Sequence, residues 1–133
     1  MSHTDGAGAV LIVDDDEDLR EVVAAVLAAQ GYVVVVAASG AETLVALRSG
    51  RVSPSLILLD LRMPGMTGEE VKAELDADPR WANVPVLVFS GDADAPAVAR
   101  HIGVQGVIQK PIELEALLEA VEQAMHPRLS GVA

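Results

Sequence analysis

Four apolar runs in this chain each end on a residue that can hold a metal ion or a phosphoryl group. Residues 9–13 end on Asp14 and Asp15, residues 56–59 on Asp60, and residues 86–89 on Ser90; Val107 and Ile108 lead through Gln109 to Lys110. The runs are short, rich in Val, Ile and Leu, and lack polar alternation. Strands look like this when helices cover both faces of a parallel sheet. In such sheets the ligand crevice lies outside the carboxyl ends of the strands, so residues that end the runs converge in space. Three carboxylates, a hydroxyl and a lysine are therefore expected in one pocket.

Helical patterns separate the runs. Leu19, Val22, Val23, Val26 and Leu27 are spaced for one helical face, and Gly31 supplies a stop. Residues 32–37 read as a second buried strand. Ser39 with Glu42 and Thr67 with Glu70 are capping-box patterns that open the second and third helices, the latter ending near Asp76. A polar connection at 78–84 precedes the fourth strand at 85–89. A short helix at 95–102 has Pro96 in its first turn and Gly103 past its end. After the fifth strand at 105–109, Leu114, Leu117, Leu118, Val121 and Met125 line a last helix. Five alternations with right-handed crossovers predict an α/β, doubly wound, five-stranded parallel sheet with helices on both faces. One domain over residues 9–125 is expected, with loose tails at 1–8 and 126–133.

Composition narrows the function. The net charge is −11, from 20 acidic and 9 basic residues, and only Lys72 and Lys110 are lysines. That field repels phosphate backbones, and there is no basic run to overcome it, so no direct nucleic-acid binding is expected. No apolar stretch approaches the roughly 18 residues of a membrane span, and the start lacks a secretory signal, so the expected location is cytoplasmic with no membrane contact. The absence of cysteine excludes disulfides and thiolate metal sites.

Asp14, Asp15 and Asp60 together make a hard, all-oxygen site suited to magnesium or manganese. A divalent ion would relieve their mutual repulsion and let Asp60 stay ionised, as a nucleophile must. Lys110 and Ser90 offer a cation and a hydroxyl to phosphoryl oxygens. Blander readings exist for each residue. Asp16, Glu17 and Asp18 fit helix caps and dipole partners, and Asp14 with Asp15 alone would fit caps and ligands equally. Taken singly, Ser90 is a turn hydroxyl and Lys110 a solvated lysine. Their ordered occurrence favours a site.

In that order and spacing the residues resemble the receiver domains of two-component response regulators, whose fold is flavodoxin-like. The resemblance spans about residues 9–125. Asp14 and Asp15 are similar to the family's acidic pair, with Asp15 favoured as direct metal ligand. Asp60, within Leu58-Leu59-Asp60-Leu61-Arg62-Met63-Pro64-Gly65-Met66-Thr67-Gly68, resembles the phospho-acceptor, and Ser90 the switch hydroxyl. Lys110-Pro111 resembles the family's lysine with its commonly cis proline bond, and the carbonyl of Arg62 its remaining metal ligand. The resemblance implies magnesium-dependent transfer of a phosphoryl group from a histidine kinase or histidine phosphotransfer protein to Asp60. It also implies switching of a partner-binding face on the fourth helix, fifth strand and fifth helix, in a monomer or weak homodimer. Such a domain is a signalling switch rather than an enzyme.

Two departures fall on that output face. Val107 stands where many receivers carry Tyr or Phe, and the interval from Ser90 to Lys110 is slightly short. Asp92 and Arg62 flank the site and are expected to tune hydrolysis or docking. One competing reading is a receiver-fold adaptor that binds without phosphorylation. The other is a phosphatase of the haloacid dehalogenase type, which needs a second carboxylate where this chain has Arg62. His3, His101 and His126 lack ligand-spaced partners, Trp81 is expected to plug an edge, and Glu69, Glu70 and Glu74 to form a solvated face.

Overall fold

The computed structural model describes residues 7–126. Five strands, β1 (Ala7–Val13), β2 (Val34–Ala37), β3 (Ser53–Asp60), β4 (Val86–Ser90) and β5 (Gly106–Gln109), form one parallel sheet in the order β2-β1-β3-β4-β5. They alternate with α1 (Glu17–Ala29), α2 (Gly40–Arg48), α3 (Gly68–Asp76), α4 (Ala95–Ile102) and α5 (Leu114–Met125). The order reverses direction between β1 and β3, and this switch point brings the ends of those two strands side by side.

The runs lack polar alternation because both faces are buried. Leu11, Val13, Ile57 and Leu59 pack with Ala46 and Leu47 of α2 and Val71 and Leu75 of α3. Their neighbours Val10, Ile12, Leu56 and Leu58 pack on the other face with Val23 and Leu27 of α1 and Leu117 and Val121 of α5. Each face is thus apolar at every second residue, and the sum reads as a continuous run. Truncating one such residue, as in Leu58→Ala, costs about 2–5 kcal/mol in transfer and cavity terms.

Several boundaries differ from the sequence expectation. β1 begins at Ala7 rather than residue 9, because Ala7 pairs with Ser53 after an irregularity in register. The other expected tail positions, 1–6 and 127–133, lie outside the described residues. β2 begins at Val34 rather than residue 32, since the Tyr32 amide is used to close α1 by donating to Leu27 O. β3 begins at Ser53 rather than residue 56, and Pro54 is tolerated there because only β1 pairs with that end; β4 joins from Ile57 onward.

Caps follow the sequence with one change. Thr67 and Glu70 make the full reciprocal box at 3.2 and 2.9 Å. Ser39 accepts from Glu42 N at 3.0 Å, but the Glu42 carboxylate takes the Ala38 amide instead of that of Ser39. Asp16 caps α1 through Leu19 N. Gly103, at φ 78°, ends α4 in the left-handed conformation. In α5, Leu117 and Val121 are buried as expected, while Leu114 is 48% exposed and lies off the core face. Trp81 is buried in the core, with Arg80 over its ring at 4.3 Å.

Candidate functional site

β1, β3 and β4 end at the same edge of the sheet, and the residues that follow or close them form one pocket. Asp14 follows β1, Asp60 closes β3 and Ser90 closes β4; all three are buried. Asp15 is exposed at the rim and Lys110, just past β5, is half-buried. One carboxylate oxygen each from Asp14, Asp15 and Asp60 lie within 4.8 Å of one another. Lys110 Nζ stands 3.3 Å from Asp14 Oδ2 and 3.4 Å from Asp60 Oδ2. Four of the five run-end residues singled out by sequence are therefore brought together, and Ser90, the fifth, borders them through the Lys110 N to Ser90 O bond of 2.9 Å.

Local hydrogen bonds fix the carboxylates. Asp14 Oδ1 accepts from Asp16 N at 2.9 Å, and Arg20 holds the Asp14 carbonyl at 2.8 Å. Asp60 Oδ1 accepts from Arg62 N at 3.1 Å. Asp14 Oδ2 is buried and accepts no hydrogen bond; Lys110 reaches it only as an ion-pair partner. An orphaned buried carboxylate oxygen, beside two other carboxylates, is the donor environment that a hard cation completes.

The electrostatics agree. Burial pushes the Asp60 carboxyl up to about 6; the Arg62 amide opposes this, Asp14 adds to it and Lys110 opposes it. Burial alone would depress the Lys110 ammonium, but the Asp60 and Asp14 carboxylates outweigh it and hold its pKa above the ordinary lysine value. The pocket thus carries more negative charge than one lysine neutralises.

Two features of the site escaped sequence reasoning. A Cβ on Gly68 would lie 2.5 Å from Asp60 O and 2.8 Å from Leu61 Cα, so glycine lets the start of α3 seat on the chain just past Asp60. In the sequence Gly68 stands out only as the end of the stretch around Asp60, directly after the capping residue Thr67. Arg62 Nε donates to Asp92 Oδ2 at 2.7 Å, and Asp92 N donates to Ser90 Oγ at 3.0 Å. Lys72 is buried and paired with Asp76 at 2.5 Å, away from the pocket. The Lys110-Pro111 bond is cis. Val107 is half-buried against Leu61, Val88 and Ala95. Glu69, Glu70 and Glu74 are exposed, Glu74 pairing with Arg48 at 2.9 Å.

A sheet of this order with acidic residues, a hydroxyl and a lysine at one edge defines a class of small α/β signalling domains, and comparison with known proteins agrees. The family model described as "Response regulator receiver domain" matches residues 10–122. The chain belongs to that family, the receiver domains of two-component systems, which are signalling switches rather than enzymes in the usual sense. It is 35% identical over 114 residues to the DNA-binding response regulator MtrA of Mycobacterium tuberculosis, covering 84% of this chain and 48% of that protein. It is 34% identical over 125 residues to the transcriptional regulatory protein GlrR of Escherichia coli, covering 94% of this chain and 27% of that protein. The chain thus spans half or less of the length of these relatives. A putative response regulator from Chloroflexus aurantiacus superposes with a TM-score of 0.83 at 29% identity, covering 90% of this chain and 98% of that one. Receiver domains bind magnesium at an acidic pocket and interact with histidine kinases and downstream effectors. Among the described residues no helix is long and apolar enough to cross a membrane.

Proposed function

We propose that this chain accepts a phosphoryl group on Asp60 from a phosphohistidine of a histidine kinase or histidine phosphotransfer protein. The P–N bond of the donor breaks, a P–O bond to the Asp60 carboxylate forms, and the leaving imidazole takes up a proton. The observation that carries this reading is the convergence of Asp14, Asp15 and Asp60 within 4.8 Å, with Lys110 Nζ 3.4 Å from Asp60 Oδ2. Asp15, Asp14, Asp60 and the carbonyl of Arg62 would hold magnesium, or manganese. The ion supplies charge neutralisation for the carboxylates and the incoming phosphoryl oxygens. Lys110 holds the negative charge of the acceptor and then that of the acyl phosphate. Ser90 offers its hydroxyl to a phosphoryl oxygen.

The acyl phosphate would bias the arrangement of α4, β5 and α5, through Ser90, Val107 and the segment at Pro111, toward a form that binds a downstream protein. Val107 packs in the cluster that joins β4 to α4, so the relay would run through aliphatic packing rather than a swinging ring. In line with its membership of the receiver family we place the reaction in the cytoplasm, and on the strength of its net charge of −11 we keep nucleic acid off the surface of this segment. Incubation with magnesium and acetyl phosphate should add the mass of one phosphoryl group to the protein and none to Asp60→Asn. An unmodified wild type under conditions that label other receivers sinks the proposal in favour of a phosphorylation-independent adaptor. Steady turnover of a phosphate monoester would instead favour a phosphatase.

A further inference from the structure

We propose that the Arg62–Asp92 ion pair is an exchangeable clasp over the Asp60 pocket: Arg62 leaves Asp92 for an oxygen of the phosphoryl group on Asp60, and the exchange releases the segment that holds Ser90. This rests on the reading of Asp60 as phospho-acceptor and assigns Arg62 and Asp92 positioning roles in that reaction.

The clasp joins the segment after β3 to the segment after β4, through Arg62 Nε and Asp92 Oδ2 at 2.7 Å. Each partner is also tied by its own amide to a residue of the pocket. Arg62 N donates to Asp60 Oδ1 at 3.1 Å, and Asp92 N donates to Ser90 Oγ at 3.0 Å. One side-chain contact therefore couples the acceptor to the hydroxyl. Between Ser90 and Asp92 lies Gly91, where even a Cβ would meet nothing nearer than Lys110 Cβ at 3.8 Å, so the segment has room to turn.

Magnitude decides which way the exchange runs. The Arg62 side chain is 76% exposed and that of Asp92 35%, and exposed pairs of this kind are worth about 0.2–1 kcal/mol. That biases Arg62 toward Asp92 while Asp60 is unmodified. A phosphoryl group brings nearly two negative charges and three acceptor oxygens, matched to the guanidinium fork, and so outcompetes one solvated carboxylate. Once Arg62 leaves, the only remaining restraint of the pair on Ser90 is the single amide bond from Asp92.

The test is a mutant cycle read by intact-mass time courses, with acetyl phosphate and magnesium for gain and after donor removal for loss. Asp92→Asn frees Arg62 in advance, so it should speed gain by about 1.4- to 5-fold, the ratio that an exposed ion pair's worth converts to. It should also slow loss. Arg62→Gln should do the reverse. In the Arg62→Gln background Asp92→Asn should change nothing further, because Asp92 acts only through Arg62. Equal effects of Asp92→Asn in both backgrounds, with Asp60 still modified, overturn the clasp alone and leave bulk repulsion by Asp92 as the cause. A wild type that gains no phosphoryl mass overturns the clasp together with the reading on which it rests.

Discussion

Lys110 Nζ lies between two buried carboxylates, 3.3 Å from Asp14 Oδ2 and 3.4 Å from Asp60 Oδ2. It is the sole side-chain cation at ion-pair distance from either of them among the described residues. Two carboxylates share one cation, and burial pushes the Asp60 carboxyl up. Much of the behaviour of the site follows from that imbalance.

Removing the ammonium should therefore destabilise the fold while the carboxylates remain. Lys110→Met leaves Asp14 Oδ2 and Asp60 Oδ2 without a cation, and a loss of about 1–3 kcal/mol is expected at pH 7 without divalent ions. Urea unfolding in EDTA measures it, and added magnesium should restore part of the loss. Equal midpoints for the two proteins in EDTA would contradict the shared-cation arrangement.

Asp60 makes stability depend on pH in a definite direction. Its native pKa of about 6 exceeds the ordinary 3.8, so the native state holds the proton more tightly than the unfolded chain. The contribution is fully present below 3.8 and is lost as pH rises through about 6. Asp60→Asn lacks this loss, and partial access of water to the pocket tempers its size. At pH 7 in EDTA the variant should be more stable than wild type by about 1–2 kcal/mol, and the gap should close toward pH 4. Parallel stability curves for the two proteins from pH 4 to 8 would refute the assignment.

Magnesium should raise the melting temperature by binding the folded site. At ten times its dissociation constant the stabilisation is about 1.4 kcal/mol. Asp15 is exposed and can be replaced with little cost to the fold. Asp15→Asn should keep the wild-type melting temperature in EDTA and lose most of the rise with magnesium. A full rise in that variant would remove Asp15 from the ligand set.

Gly68 should tolerate no side chain. In Gly68→Ala the new Cβ meets backbone atoms of Asp60 and Leu61, which cannot swing aside as a side chain can. A destabilisation of about 1–3 kcal/mol is expected from overpacking, together with a displaced Asp60 and weaker magnesium binding. A variant with wild-type melting and metal response would show that α3 can retreat freely.

Much of the fold was legible because local signals agreed. The apolar runs at 9–13, 56–59 and 86–89, the Thr67–Glu70 box and the glycine past α4 each point to the observed element. The misreadings arose where pairing partners decided the outcome. Nothing local in residues 53–55 says that β1 extends β3 past Pro54, and nothing in Leu114 distinguishes it from Leu117 except the angle at which α5 meets the sheet.

The site divides in the same way. Sequence named Asp14, Asp15, Asp60, Ser90 and Lys110 because strand ends in a doubly wound sheet must meet, and it flagged Arg62 and Asp92 as neighbours. The distance that makes those two a pair, the orphaned oxygen of Asp14 and the close seat of Gly68 on Asp60 belong to the tertiary structure alone. Residue type and periodicity are properties of short stretches of chain. Which carboxylate lacks a donor, and which cation stands between two others, depends on segments far apart in sequence whose positions only packing fixes. The run endings thus determined what could meet, and the folded sheet decided how closely.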